Sequence, residues 1–378
     1  MYNRGTRLLE SGRYAKAAAI FRRQLRTNQF KECYLNLGNC YRYLNLDDAA
    51  LDAYLAAANS NTPFSDGRFG SYPSALNNIG LLEYSRNNLT DAERFYRAAL
   101  TLDPLYTECI WNLGNCQLKA SNSVAGWPMY EYRFNRGPGS VVIDTSIPRW
   151  DGISNGTSIC VLTEQGIGDK IQFARYLPLL KPYFSDVIIN CHASLNCLFP
   201  GYTCSETVSG SVSIPLCSLP GIFGVVPVSN YLSGTPHRFG TGRHIGVVAS
   251  GSPTHANDYN RSVPIYNFAR FAAYGKLWGL NPADAKHSTV TPLASTSWQQ
   301  TIDYVLGLDV VVTVDTSIVH LAGTLGKPCI MMQPSRDTDF RWGLPGVQNP
   351  WYNSVYVVDN YNNWEATLTN AERLLALC

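Results

Sequence analysis

Four polar residues that suit phosphate binding lie close together late in this 378-residue chain. Asp315, Thr316 and Ser317 directly follow the apolar run Val310–Val314, and His320 comes one helical turn later. Thr and Ser hydroxyls, free backbone amides and an imidazole together suit a diphosphate, because each offers a hydrogen-bond donor to its oxygens. A purely structural interpretation stays open, in which Thr316 or Ser317 only caps a helix and His320 packs in a core.

The elements around these residues place them at the mouth of a sheet. The apolar run before them is typical of a buried parallel strand, and the segment IVHLAGTLG after them has a helical pattern. That helix is expected to end at Gly326, two residues before Pro328. In open α/β sheets ligands bind where a strand ends and a helix begins, because unpaired N–H groups and the helix dipole face the crevice.

Alternating strands and helices are predicted from residue 159 onward. The first α/β unit has four predicted strands, at 159–163, 186–190 and, more weakly, near 204–208 and 212–216. A helix is predicted over 170–183, and the Pro- and Gly-rich segment 218–243 is interpreted as a linker. The second unit has strands predicted at 244–250, 310–314, 329–333 and 355–359. The stretch 277–295 has no strong strand pattern. Two such units predict a cleft between two parallel sheets.

The residues before the α/β part repeat themselves. Leu-Gly or Ile-Gly pairs recur at 37, 79 and 113, and the last two are 34 residues apart. The first gap is 42 residues, which an insertion at the Gly-, Pro- and Ser-rich segment 59–73 explains. Small and aromatic residues recur at matching positions: Ala17/Phe21, Ala50/Tyr54 and Ala92/Tyr96. These are the positions of the tetratricopeptide repeat, a helix–turn–helix unit of about 34 residues.

Composition disfavours several classes of protein. A net charge of +2 without a basic block does not indicate nucleic-acid binding. Neither a signal peptide nor a membrane-spanning apolar stretch is evident, so a soluble cytoplasmic protein is expected. Eleven cysteines is an odd number without any C-x-x-C, and Cys33/Cys40 and Cys109/Cys116 fall at equivalent repeat positions. We therefore expect small buried hydrophobes rather than disulfides or a metal site.

Five stretches together resemble the heptosyltransferase-like GT-B glycosyltransferases, above all the bacterial and phage proteins that fuse such a domain to tetratricopeptide repeats. They are WPMYEYRF (127–134), PRWDG (148–152), EQGIGDKIQFARYLP (164–178), DYNRSVP (258–264), and VDTSIVHLAGTLGKP (314–328) with FRWG and NPWY after it. The O-linked N-acetylglucosamine transferases share this two-part layout more distantly. The resemblance places the protein in the cytoplasm of a bacterium or a phage-infected host cell.

The fold class implied by the resemblance is α + α/β. Residues 1–136 are expected to form a helical tetratricopeptide solenoid. A GT-B pair of Rossmann-like domains follows, with the acceptor side at 137–240 and the nucleotide-sugar side at 241–378.

The resemblance also implies roles for single residues. Asp169, in the turn Gly166–Asp169, matches the carboxylate that family members use as general base on the acceptor hydroxyl; its structural alternative is a helix-capping role. Arg261 matches a basic residue that meets the donor phosphates, with an exposed salt bridge as its alternative. Glu164 and Gln165 are expected to hydrogen-bond hydroxyls of acceptor or donor.

The remaining implied roles concern turns and phosphate groups. Gly166 and Gly168 are expected to allow a tight turn and close packing. The trio of Thr316, Ser317 and His320 matches the diphosphate-binding turn of the family. Asp315 at the strand end is expected to orient its neighbours or to touch the donor sugar, since a carboxylate and a phosphate repel each other.

The function implied is an inverting, metal-independent glycosyltransferase. It moves a sugar from a nucleoside-diphosphate donor to an acceptor hydroxyl and needs no cofactor, while the repeats recruit the acceptor or a protein partner. The alternative is a repeat-based binding scaffold with an inactive glycosyltransferase-like domain, motivated by the weak pattern of 277–295. A dinucleotide-dependent oxidoreductase is disfavoured, because Gly166-Ile167-Gly168 lacks a full G-x-G-x-x-G. Sugar, nucleotide base and acceptor stay open; protein, glycan, lipid-linked sugar and modified nucleobase are all possible acceptors.

Overall fold

The computed structural model describes residues 2–59, 61–224, 230–255, 257–281, 284, 287–344, 349–359 and 363–378. The chain divides into two units, Met1–Ser140 and Val141–Cys378. The first is helical, and the second contains two parallel β-sheets, which confirms the predicted α + α/β fold class. Both sheets fall within the second unit, so the boundary proposed at residue 240 stays a prediction.

Helical hairpins build the first unit. Its helices are α1 Tyr2–Glu10, α2 Tyr14–Leu25, α3 Lys31–Tyr43, α4 Asp47–Ala58, α5 Pro73–Ser85, α6 Leu89–Leu102, α7 Thr107–Lys119 and α8 Ser123–Tyr130, followed by a 3₁₀ helix at Glu131–Phe134. A residue with positive φ stands in the turn of each hairpin: Gly12, Asn45, Asn87 and Ser121. A left-handed residue at this position ends a helix by satisfying its last carbonyls, so the chain reverses sharply.

Glycine in the first helix of a hairpin admits an aromatic ring from the second. A Cβ at Gly38 would lie 2.5 Å from the ring of Tyr54, and a Cβ at Gly80 would lie 2.6 Å from that of Tyr96. Both tyrosines are fully buried. The recurring Leu-Gly and aromatic positions of the sequence are therefore the contact between paired helices, and any side chain at these glycines would force the helices apart.

The first sheet has the strand order β3-β2-β1-β4, with all neighbours parallel. Its elements are β1 Gly156–Leu162, α9 Ile167–Phe173, β2 Phe184–Asn190, β3 Thr203–Ser205, β4 Val212–Pro215 and α10 Leu219–Phe223, with 3₁₀ helices at Ala174–Leu180, Ala193–Leu198 and Leu216–Ser218. The strands lie where the sequence predicts them. Helix α9 begins three residues earlier than predicted, which places Asp169 in its first turn. Helix α10 lies in the segment interpreted as a linker.

The second sheet has the order β10-β9-β8-β5-β6-β7, again parallel. Its elements are β5 His244–Val248, α11 Asp258–Arg261, β6 Lys276–Gly279, β7 Val290–Pro292, α12 Trp298–Gly307, β8 Val310–Val314, α13 Ser317–Thr324, β9 Cys329–Met332, β10 Val355–Val358 and α14 Trp364–Leu377, with 3₁₀ helices at Ile265–Tyr274 and Phe340–Trp342. Counted from β5, this is the 3-2-1-4-5-6 order of a Rossmann fold, whose ligand crevice opens between the first and fourth strands. Here those strands are β5 and β8.

The prediction that 277–295 lacks a strong strand is wrong. Strand β6 pairs with β5, and β7 pairs with β6 at the edge of the sheet. Along β6 an exposed residue and a half-buried one alternate with two buried ones, and β7 has only three residues. Such short, partly exposed strands leave no apolar run in the sequence. Residues 282, 283, 285 and 286 of this stretch lie outside the described part of the chain.

The core of the second sheet fixes where β8 ends. All five residues of β8 are buried, and Val310, Val312 and Val314 pack with Ile245 and Val247 of β5. Burying a valine contributes about 1.5–3 kcal/mol relative to exposure. A one-residue shift of β8 would break this packing, so the residues after Val314 are held at the carboxyl end of the strand.

Candidate functional site

Asp315, Thr316 and Ser317 emerge at the crevice between β5 and β8. Thr316 is the N-cap of α13, and its hydroxyl accepts a hydrogen bond from the amide of Ile318 at 3.3 Å. Ser317 is the first residue of the helix and is half-buried. The capping interpretation of Thr316 is therefore correct. It does not exclude phosphate binding, because the amino end of an α-helix also attracts anions.

Asp315 is half-buried and close to other charged groups. Burial and the neighbouring carboxylate of Asp339 raise its pKa to about 6, against the opposing effect of Arg261. The backbone carbonyl of Asp315 accepts a hydrogen bond from the Arg261 guanidinium at 3.2 Å. A carboxyl group that is easily neutralised is compatible with a nearby anionic ligand.

Arg261 reaches the crevice from the β5 side. It forms an ion pair with Asp258 at 3.3 Å, and its side chain is only 13% exposed. Gly251 allows this approach, since a Cβ there would lie 2.5 Å from the guanidinium. The exposed salt bridge considered from the sequence is thus a mostly buried one beside Asp315. A buried guanidinium at this place suits the oxygens of a phosphate.

His320 lies buried against aromatic side chains. Its ring stacks on Trp342 with centroids 5.1 Å apart, and its Nδ1 lies 3.0 Å from the hydroxyl of Tyr352. Burial and the nearby Arg341 lower its pKa to about 3. The imidazole is therefore neutral at physiological pH and offers hydrogen bonding but no positive charge.

Gly168 and His320 bring the two sheets together within the second unit. A Cβ at Gly168 would lie 2.9 Å from Cδ2 of His320 and 3.4 Å from Nε2, so the glycine leaves room for the ring. The amino ends of α9 and α13 consequently face each other. Asp169, one residue on, lies on the same side of the unit as His320.

Asp169 is held from two directions. One carboxylate oxygen, Oδ2, accepts a hydrogen bond from the amide of Gly166 at 2.9 Å, which caps the amino end of α9. The other, Oδ1, forms an ion pair with Arg341. The side chain of Asp169 remains 17% exposed. The capping role considered from the sequence is present, and it leaves the carboxylate at the cleft.

Arg341 is a site residue that the sequence analysis missed. It lies in the 3₁₀ helix Phe340–Trp342, capped by Asp339, whose carboxylate also pairs with the guanidinium at 2.6 Å. Burial raises the pKa of Asp339, but the Arg341 charge and hydrogen bonds outweigh it, so the net pKa is lowered. The stretch FRWG entered the resemblance without a role for its arginine. Only the fold brings this arginine to Asp169.

Glu164 and Gln165 have structural roles at the turn after β1. Glu164 is buried, and its carboxylate accepts a hydrogen bond from the amide of Cys217 at 3.2 Å, tying the end of β1 to the residues after β4. Gln165 has φ +66°, and its carbonyl accepts a hydrogen bond from Lys170 at 2.9 Å. Contacts of either residue with substrate hydroxyls stay a prediction.

His255 is a second residue that the sequence analysis left without a role. Burial and the neighbouring Arg261 lower its pKa, while Asp339, Asp258 and Asp169 act to raise it. The imidazole is therefore within electrostatic reach of both faces of the cleft. Nothing in the sequence pattern around His255 singled out this histidine.

The described part of the chain contains no helix long and apolar enough to cross a membrane. Within the same residues no cluster of three or more His, Cys, Asp or Glu side chains could hold a metal ion. All eleven cysteines are free thiols. The burial predicted for the four cysteines of the repeats is confirmed.

Comparison with known protein families bears on the first unit. Residues 2–66 and 67–107 match the family model described as tetratricopeptide repeat, which confirms the repeat prediction. No curated protein matches the chain.

Among solved structures, three glycosyltransferases align with the chain. The iron-containing dodecameric glycosyltransferase TibC from enterotoxigenic E. coli H10407 aligns at 12% identity over 56% of this chain and 64% of its own, with a TM-score of 0.43. The E. coli heptosyltransferase WaaC with ADP aligns at 11% over 58% and 99%, with a TM-score of 0.39. A mutant Thermobaculum terrenum O-GlcNAc transferase aligns at 11% over 99% and 88%, with a TM-score of 0.36. At such identities and scores a similarity does not indicate a shared activity, so function is inferred from the site itself.

Proposed function

We propose that this chain is an inverting glycosyltransferase that uses a nucleoside-diphosphate sugar and transfers the sugar to an acceptor hydroxyl. The observation that carries the proposal is the meeting of two helix amino ends at Gly168 and His320. This contact sets the Asp169 carboxylate opposite the amino end of α13. A base on one side and a phosphate-binding helix end on the other are what an inverting transfer requires.

The donor diphosphate is assigned to the amino end of α13. The positive end of the helix dipole and the hydroxyl of Ser317 face the ligand there, while Thr316 holds the amides of Ile318 and Val319. Arg261, held beside the carbonyl of Asp315, supplies the positive charge on the β5 side. The neutral imidazole of His320 lies behind the turn and sets its position through Trp342 and Tyr352.

The acceptor is assigned to the face of the first sheet. Asp169 removes the proton of the acceptor hydroxyl as the acceptor oxygen forms its bond to the anomeric carbon. The bond from that carbon to the diphosphate breaks, and its electrons leave on the diphosphate, whose charge the α13 end and Arg261 stabilise. A positioned base contributes about 10²–10⁴-fold to such a step. Arg261 and the helix end provide this stabilisation without a metal ion, so metal-independent transfer is part of the proposal.

The repeats are assigned to recruitment. Helical repeat arrays present extended surfaces to proteins and peptides. Binding to the repeats would raise the local concentration of an acceptor or a partner near the transferase part of the same chain.

The binding-scaffold alternative has lost the observation that motivated it, because 277–295 contributes two strands to the second sheet. Calorimetry with nucleoside diphosphates separates the two functions. A scaffold with an inactive domain would give no saturable heat at millimolar ligand, whereas the proposed enzyme would.

The direct test is turnover of a donor. The full chain is incubated with UDP-, GDP-, ADP- and CMP-linked sugars, and the release of free nucleotide is measured. We expect one nucleotide class to be released above the rate of spontaneous hydrolysis. Release from none of them, together with absent nucleotide binding, would overturn the proposal.

A further inference from the structure

Arg341 is shared by two carboxylates from different parts of the second unit. Its guanidinium pairs with Asp339, two residues before it, and with Asp169 at the start of α9, 172 residues away. The Arg341 side chain is only 8% exposed. A buried guanidinium is stable only while anions compensate its charge. An anion is therefore expected to leave Arg341 only when another anion takes its place.

We propose that Arg341 couples donor binding to the release of the base. Without donor, its guanidinium holds the Asp169 carboxylate; the donor diphosphate takes over the guanidinium and frees Asp169 to accept a proton. This inference rests on the proposed function and adds to it a residue that makes deprotonation of the acceptor depend on a bound donor.

Both oxygens of the Asp169 carboxylate already have partners. Its Oδ2 accepts the amide of Gly166, and its Oδ1 pairs with Arg341. The Arg341 contact therefore has to loosen before Oδ1 can accept the proton of the acceptor hydroxyl.

Arg341 acts at the phosphate end of the cleft as well. Its charge helps to lower the pKa of His320 and opposes the rise in the pKa of Asp315, which places it within electrostatic reach of the start of α13. Trp342, the next residue, stacks directly on His320 of that helix. A diphosphate at the amino end of α13 would therefore compete with Asp169 for the same guanidinium.

Repulsion between anions favours the transfer of the Arg341 contact from Asp169 to the diphosphate. Asp169, Asp315 and Asp339 surround the positive charges of Arg261 and Arg341. A diphosphate that entered without displacing a carboxylate from its cation would add further negative charge to this group. Exchange of the Arg341 contact from Asp169 to the diphosphate avoids an uncompensated anion, while the Asp339 contact keeps the guanidinium in place.

A double-mutant cycle tests the coupling. Binding of ADP, UDP, GDP and inorganic pyrophosphate to the full chain is measured by calorimetry for the parent, Asp169→Asn, Arg341→Gln and the double variant. If Asp169 and the diphosphate compete for Arg341, the substitution Asp169→Asn tightens diphosphate binding at least threefold when Arg341 is present. The same substitution has no effect on diphosphate binding once Arg341 is replaced. An equal gain in both backgrounds would show general charge repulsion and would overturn the proposal.

Two controls keep the outcome decisive. Asp258→Asn removes a carboxylate on the Arg261 side, so its effect on binding should be the same with and without Arg341. Because Arg341→Gln leaves Asp339 unpaired, unfolding is followed for each variant; if Arg341→Gln does not fold, the cycle is run with Arg341→Lys. A lysine presents a single point charge that cannot pair with two carboxylates together, so the gain from Asp169→Asn should shrink.

The two proposals fail in different ways. If no probe binds the parent chain, the proposed function fails and with it the coupling. If a probe binds and Asp169→Asn leaves its affinity unchanged, the coupling fails while the proposed function stands.

Discussion

Gly168 of α9 lies directly against the imidazole ring of His320 in α13, so that a Cβ on the glycine would be 2.9 Å from the ring. The two residues follow strands of different sheets, β1 and β8. His320 cannot move away freely, because Trp342 stacks on it and the Tyr352 hydroxyl lies 3.0 Å from Nδ1. This contact sets the distance between Asp169, the proposed base, and the amino end of α13, the proposed phosphate site.

Gly168→Ala should therefore be destabilising. The added methyl overpacks a rigid contact, which typically costs about 1–3 kcal/mol. The change is measured as the shift in urea midpoint at constant slope. In a His320→Ala background the methyl gains space, so the same substitution should cost much less. Equal costs in both backgrounds would mean that the contact does not constrain the two helices.

Asp169→Asn should abolish most donor turnover, and the chain should still fold because Asp339 continues to pair with Arg341. The amide oxygen of asparagine still accepts the Gly166 amide, so the cap is kept, but the side chain no longer removes a proton. We expect the transfer rate to fall about 10²–10⁴-fold. Asp144→Asn, at an exposed carboxylate that also accepts a backbone amide, is the matched control and should turn over like the parent. A fully active Asp169→Asn enzyme would make the base assignment wrong.

Arg261→Gln should weaken nucleoside-diphosphate binding. Hydrogen bonds to a charged group contribute about 1.5–3 kcal/mol, which corresponds to about 10- to 100-fold in affinity. Arg270→Gln is the control, because that arginine pairs with Glu365 and Glu372 of α14 instead of the crevice residues. Calorimetry on both variants decides the point: similar affinities would remove Arg261 from the phosphate site.

Two groups of the site should give opposite pH dependences of stability. His320 has a pKa lowered to about 3, so its contribution is present above the unfolded value of about 6.5 and is lost as pH falls from there. Asp315 has a pKa raised to about 6, so the folded state gains stability from its protonation as pH falls from 6 to about 3.9. Each changes stability by about 1.4 kcal/mol per pH unit, and between pH 6 and 4 they largely cancel.

The variant Asp315→Asn separates the pH-dependent stability contribution of His320 from that of Asp315. Without the carboxyl group, the loss from His320 is no longer compensated, so the variant should lose stability relative to the parent by about 1.4 kcal/mol per pH unit between pH 6 and 4. Urea unfolding at half-unit pH intervals measures the slope. At pH 8 the same variant should be more stable than the parent, since a buried ionised carboxylate is removed. Parallel pH profiles for parent and variant would contradict this assignment.

Local patterns in the sequence were enough to predict most of the elements and the α13 side of the candidate site. The repeated Gly and aromatic positions predicted the helical hairpins, because each pair is a contact between helices adjacent in sequence. The apolar run before Asp315 predicted β8, and the change of pattern after it predicted the amino end of α13. Capping by Thr316 is local for the same reason, since donor and acceptor are two residues apart.

Only the tertiary structure decided how the α9 side and the α13 side of the candidate site meet. Strands β6 and β7 are short and partly exposed, so they leave no run of apolar residues in the sequence. Strand β6 depends on pairing with β5, and β7 depends on pairing with β6. The ion pair between Arg341 and Asp169 joins residues 172 positions apart, and no periodicity records such a contact. The neutral state of His320 likewise follows from burial between Trp342 and Gly168. Spacing along the chain determines which residues share a strand or a helix turn. The charge state of a side chain and its hydrogen-bond or ion-pair partner depend instead on the residues that tertiary packing places next to it.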